Sequence, residues 1–380
     1  MTRSPRIKIW IVLGGGIGML AALLVGSGVL DGLGPAVRYR GPRMSPLTEQ
    51  AQVLIDERIL HLAASAASPT SDPGPEENRD LVPQTLDEQR ERLLQVLVAQ
   101  GGLDASALQR VQAIVEASPY MGFGNPAVSV HPLSRDQCFE RRQHALIVPG
   151  DALCGSPRMV ALPEGSSKDK TSAHLCIDQY EFPNVPCEYP LVWVRASEAA
   201  SLCRAVGKRL CDAHEWEGAC AGRLLSSDTE YDFQAGRSLS TWEHNRQRER
   251  VWATGGEPSA GRCATSGSKS ETCVEVGWSG CGSNTFPIGS FPDCVSLLGV
   301  YDLHGNVAEH MNLPTSPEEL GINGGLGQTE MKGSWFASDA LSPYPDDCRW
   351  RAPAWHATRI DSPNSHRNYQ LGFRCCRDLE

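Results

Sequence analysis

The chain has 380 residues, 37 of them glycine and 26 proline, a composition that favours turns and loops over a helical bundle. Its net charge of −10 is spread without a block of like sign, so nucleic acid is not expected as a partner. All 14 cysteines lie at or beyond Cys138 and no pair has CxxC spacing, which argues against a zinc ribbon and for disulfides made in an oxidising compartment.

In chain order, Ile9 to Leu30 is an uncharged apolar run behind Arg3, Arg6 and Lys8. At ~1.5 Å per residue it is long enough to cross a bilayer core. It lacks a clean A-x-A cleavage site, and no cysteine follows it to carry a lipid. Residues 1–30 are therefore expected to be a cytoplasmic tip and a single-pass transmembrane anchor. The cysteines place the C-terminal body in the periplasm or outside the cell. Residues 31–130 are expected to be a helical stalk and linker. Ser45-Pro46 would start a first helix. Thr85 with Glu88 forms a capping box for "LDEQRERLLQVLVAQ", and Asp104 caps "ASALQRVQAIVEAS". Residues 131–156 form a cysteine-containing lead-in.

From about Pro157 to Glu380 the texture changes to frequent Trp, Gly and Cys. One helix is expected at "SEAASLCRAV", capped by Ser197 and closed by Gly207. A second is expected at "DAHEWEGAC" with Asp212 and Glu215 at its start. Beyond Arg223 mostly loops and short strands are expected.

Six landmarks stand in order: "MVALPEG", "CIDQYEFPN", "GKRLCDAHEWEGAC", "GVYDLHGNVAEH", "KGSWFAS" and "GFRCC". The series resembles the formylglycine-generating enzyme family, or sulfatase-modifying factor domain, over roughly residues 157 to 378. The resemblance implies an α+β, loop-rich fold of the C-type-lectin-like kind. It also implies a structural calcium at the Gly-Asn-x-x-Glu turn. Asn306 and Glu309 stand at i and i+3 there, where a tight turn can aim both oxygens at one ion. The other reading makes Asn306 a left-handed turn residue and Glu309 half of an ion pair. His310 and Asp302 flank the turn as candidate acid–base groups. Ala308 and His310 replace tryptophans usual in the family.

Family enzymes oxidise a substrate cysteine with O2 on Cu(I) held by two thiolates just after this "GSW" strand. The matching positions here are Ala337 and Ser342, so copper is not expected. Cys348 is the one nearby candidate for a catalytic thiol. The resemblance pairs Cys203 with Cys375 and Cys220 with Cys348, which competes with that role. Cys211 with Cys376 accounts for the remaining member of the adjacent pair. Cys138, Cys154, Cys176 and Cys187 form one group of four, and Cys263, Cys273, Cys281 and Cys294 another, with pairings open. Trp335, Trp350 and Trp355 are candidates to line a binding groove, or else belong to the core. The expected function is a non-catalytic recognition module for a protein, peptide or glycan. The alternative is an oxidoreductase or tailoring enzyme with a rearranged site.

Overall fold

A computed structural model describes residues 82–100, 103–165, 170–258, 261–273, 277–338, 346–352 and 358–379. The expected anchor and the first expected helix lie outside the described residues. Among the described residues, no helix is long and apolar enough to cross a membrane.

Helix α1 (Leu86–Gln100) opens with the expected box: Glu88 N–H donates to Thr85 Oγ1 at 3.2 Å, and Thr85 N–H to Glu88 Oε2 at 3.0 Å. Helix α2 (Ala105–Ala117) is capped by Asp104, whose carboxylate accepts from Ala107 N–H at 2.6 Å. The sequence alone places these two helices in a stalk; the structure seats them on the body instead. Leu93, Leu94 and Leu97 of α1 and Leu108, Val111 and Val115 of α2 share one core with Phe182, Tyr189, Leu191 and Phe373. Each helix carries one apolar stripe, and the two stripes close against the body rather than only against each other. Gln89 reinforces the seat by bonding the backbone of Phe123 and Gly124.

Helix α3 (Arg135–Gln143) starts on a Ser134–Gln137 capping box. Strands β1 (Met159–Ala161), β2 (Leu175–Asp178), β3 (Arg209–Leu210) and β7 (Cys375–Asp378) form an antiparallel sheet of order β1-β2-β7-β3. Strands β4 (Ala308–Leu313), β5 (Gln328–Lys332) and β6 (Leu371–Phe373) form a second sheet of order β5-β4-β6, in which β4 and β6 run parallel. Helices α4 (Ala196–Ala205) and α5 (Ala213–Ala221) occupy the two expected positions. The cap of α4 differs: Arg195 is the N-cap, Glu198 accepts from its amide at 2.7 Å, and Ser197 instead bonds Ser365. After the short α6 (Ser227–Glu230), α7 (Arg237–Gln247) occupies a stretch expected to be loop. Its large apolar residues, Leu239 and Trp242, are exposed and Thr241 is its one buried residue, so no apolar stripe marks it.

All 14 cysteines are paired. Cys375 and Cys376 are neighbours on β7, and successive strand residues face opposite sides. Cys375 therefore reaches Cys203 on α4 in the first core, and Cys376 reaches Cys211 in the second, beside Trp216 and Val300. Cys220 pairs with Cys348. Each group of four closes within itself, as Cys138–Cys187 with Cys154–Cys176 and as Cys263–Cys294 with Cys273–Cys281.

Between α5 and β5 lies a buried ion network. Glu217 accepts from Arg351 Nε at 2.8 Å and from Lys332 Nζ at 3.1 Å, and all three side chains are at most 1% exposed. Burial alone would raise the Glu217 carboxyl, but Arg351, Lys332 and His244 outweigh it and hold the group well below its ordinary 4.5. Glu230, beside it, is pushed up to about 7 by burial and by the Glu217 charge. The two act in opposite senses. A depressed carboxyl stabilises above its unfolded value and loses that contribution as pH falls towards its folded value; the raised Glu230 loses its contribution as pH rises towards 7. Stability should therefore drop on acidification below about pH 4.5 through Glu217. Glu217→Gln should flatten that acid limb and cost about 3–5 kcal/mol near neutrality, because Arg351 and Lys332 lose their buried counter-charge. Urea unfolding of both proteins across the acid range checks this.

Candidate functional site

The turn at Gly305-Asn306 is built by steric demand. Gly305 has φ 82°, and a Cβ there would stand 2.4 Å from the Ala264 carbonyl oxygen. Asn306 follows at φ 54°, a conformation asparagine tolerates better than most residues. Its side chain is used at both ends: Nδ2 donates to Glu181 at 2.6 Å, and Oδ1 accepts from Phe286 N–H at 2.8 Å. Its carbonyl accepts from Phe336 N–H at 2.9 Å, while Ser334 Oγ accepts from Gly305 N–H at 2.9 Å. The turn thus fixes the "KGSWFAS" segment.

Glu309 points to Arg374, the residue between β6 and β7. Arg374 Nε and Nη2 donate to the two carboxylate oxygens at 2.6 and 2.5 Å, and Trp216 Nε1 adds a third donor at 3.0 Å. The remaining guanidinium protons go to the carbonyls of Asp178, Gln179 and Tyr301, at 3.0 to 3.2 Å. Both side chains are at most 1% exposed. This geometry favours the ion-pair reading of the turn over the expected calcium clamp. Asn306 has its oxygen bonded to an amide, and Glu309 faces a guanidinium with both oxygens, so the pair does not fit a cation that needs six to eight free oxygen ligands. Two further buried acids stand here without an ion pair among the described residues. Burial, then the charges of Asp302 and Glu309, raise Glu181 well above its ordinary range. Burial holds Asp302 up at about 6, against the Gly289 amide that bonds it at 2.6 Å.

His310 does not serve as an acid–base group. It is fully buried, its Nε2 meets the Val194 carbonyl at 3.1 Å and so carries the proton, and burial depresses its pKa to about 3. Cys348 is likewise corrected as a catalytic thiol, since its sulfur is bound to Cys220 and its side chain is buried.

Ala337 is fully buried beside Phe336 and Tyr369; Ser342 lies outside the described residues. Around Ala337 an aromatic cluster reaches the surface. Trp335 packs edge-on to Phe336 and Tyr369, with ring centroids 5.1 and 5.8 Å apart. Trp193 meets Tyr369, Trp278 and Tyr120, and the last two stack at 5.2 Å. Tyr120, Trp278 and Trp335 are half-buried, while Trp193 and Tyr369 are covered beneath them. Of the three tryptophans singled out in sequence, Trp335 belongs to this cluster. Trp350 sits at the ion network, its carbonyl accepting from Lys332 Nζ. Trp355 lies outside the described residues. Sequence reasoning missed Trp193, Tyr120, Trp278 and Arg367, whose guanidinium lies 4.4 Å from the Tyr120 ring centre. These residues come from segments far apart in the chain, and no spacing announces them. Arg374 had a signal in "GFRCC", a lone cation in an otherwise apolar, cysteine-bearing strand.

The family model of the sulfatase-modifying factor enzyme 1-like domain matches residues 157–379. No curated protein matches the chain.

Removing the Arg374 cation should leave the Glu309 carboxylate buried without compensation. Arg374→Ala is expected to lose about 3–5 kcal/mol in chemical unfolding. The melting temperature of the unaltered protein should be the same in chelator and in millimolar calcium; a rise with calcium would restore the clamp.

Proposed function

The chain belongs to the sulfatase-modifying factor family, and from that premise we propose that it is a non-catalytic recognition module, held outside the cytoplasm by an N-terminal anchor. The observation that carries this reading is the state of the sulfur. Copper-dependent cysteine oxidation needs two reduced thiolates at one ion. Ala337 has no donor atom, Ser342 would offer a hard hydroxyl, and every cysteine of the chain is spent in a bridge. A second feature points to binding. The half-buried Tyr120, Trp278 and Trp335 form an aromatic face, the kind of surface that supplies contact area at low conformational cost. We read the α+β body as a lectin-like scaffold presenting that face to a protein or glycan.

The anchor rests on the apolar run from Ile9 to Leu30, and the orientation rests on the seven bridges. Protease added to spheroplasts should degrade the cysteine-rich body and leave a short protected N-terminal fragment. Protection of the whole body would reject both anchor and orientation.

Given Cu(I), reductant and a sulfatase-type cysteine peptide, the protein should yield no formylglycine by mass spectrometry. Turnover that disappears in Cys348→Ser would instead establish an oxidase working from a different cysteine set.

A further inference from the structure

The seating of α1 on the body leaves a cavity of about 260 Å³ at the seam. One wall is Leu97 and Gln100 of α1 with Leu103 just after it; the other is Phe182, Pro183 and Val206. Leu97, Gln100 and Leu103 precede the residues that the family model matches, so the cavity belongs to the extended chain and not to the matched domain alone. It shares no residue with the aromatic cluster.

The rim is cationic, although the chain as a whole carries −10. Arg377 is exposed, and its guanidinium meets the carbonyls of Cys154 and Gly155, each at 3.4 Å, with no ion pair among the described residues. Lys208 commits one of its three ammonium protons to Asp178 at 2.5 Å, and no second acceptor for it stands among the described residues. Asp178 is the one carboxylate among the described residues that line the cavity. Of the two cations there it cancels Lys208 and leaves Arg377, so a single negative charge completes the balance. Arg158 adds positive potential from behind the wall, where its Nε donates to the Asn184 carbonyl at 2.7 Å.

We propose that this seam binds a small monocarboxylic acid with an unbranched apolar tail. The tail lies against Leu97, Leu103, Phe182 and Val206 and buries apolar surface on both partners. The carboxylate takes the open N–H groups of Arg377 and a proton of Lys208, both charge-assisted hydrogen bonds. Apolar walls with a few charged donors at one end are the usual pattern of a small-ligand site, and the volume admits a short chain rather than a drug-sized molecule.

The test titrates the full-length protein by calorimetry with acetate, butanoate, hexanoate and octanoate. Octanamide serves as the neutral analogue and acetyl-Gly-Leu as a peptide C-terminus. Affinity should rise along the acid series, and octanoate should bind about tenfold or more tighter than octanamide. Arg377→Gln should bring octanoate down to the level of octanamide, with an unchanged melting temperature of the unliganded protein showing an intact fold. Leu103→Ser should flatten the rise with chain length. Trp335→Ala, in the aromatic cluster, should leave octanoate binding as it is, so this result and the recognition reading stand or fall separately. Equal binding of acetate and octanoate would mean an anion on an exposed cation only and overturns the proposal. So does octanamide matching octanoate, or indifference to Arg377 or Leu103. Tighter binding of acetyl-Gly-Leu would assign the seam to a peptide C-terminus, and loss of octanoate binding in Trp335→Ala would move the acid to the aromatic face; either result overturns it too.

Discussion

The bond between Arg374 and Glu309 is the constraint on which the rest of the domain depends. Arg374 occupies the single position between β6 and β7, where the chain leaves one sheet and enters the other. Glu309 sits on β4, paired through the backbone with β6. One guanidinium thus spans both sheets, and its five N–H groups are all accepted, by a carboxylate on one side and by carbonyls on the other. A buried pair of this sort adds little net stability over apolar packing. It does tie elements together, because one cation gathers acceptors from β4, the end of β2 and the loop at Tyr301.

The aromatic cluster is a downstream result of that tie. The Gly305-Asn306 turn precedes β4 directly and holds Ser334 and Phe336 by hydrogen bonds, which sets Trp335 at the surface. On the far side, Asn368, three residues ahead of β6, holds Trp193. Arg374 therefore acts on the aromatic cluster through the two strands it aligns, without touching it. The same logic explains how the scaffold accommodates an alanine at position 337. Ala337 needs only to fill a buried space under Phe336 and Tyr369, a demand that any small residue meets.

Much of this architecture was legible in the sequence, and the limits have physical causes. Caps are local, so Thr85–Glu88 and Asp104 announced α1 and α2 from within four residues. Where those helices dock is not local: Leu93 and Val111 look the same on a stalk as on a body, and only contact with Phe182 and Tyr189 tells them apart. The polar α7 carries no apolar period and was unreadable for that reason. At the site, spacing drew attention to the Asn306–Glu309 turn and suggested a calcium clamp there. It could not reveal that Glu309 faces a cation 65 residues later in the chain instead of a metal. Trp335 stood out as part of a motif, whereas Tyr120 and Trp278 acquire meaning only by stacking across 158 residues.

The adjacent pair Cys375–Cys376 sets the timing of biogenesis. Their partners Cys203 and Cys211 emerge from the ribosome 172 and 165 residues earlier. Until β7 follows, those two thiols stand beside nearer cysteines such as Cys187 and Cys220. A bridge formed with whichever sulfur arrives first would be the wrong one, and exchange through a mixed disulfide is the route out of it. Because β7 lies inside its sheet, between β2 and β3, neither core can close until that last strand has been inserted. The domain can thus complete its bridges only once the chain through β7 has been made, and its yield on refolding should rise with the capacity of the medium for thiol exchange.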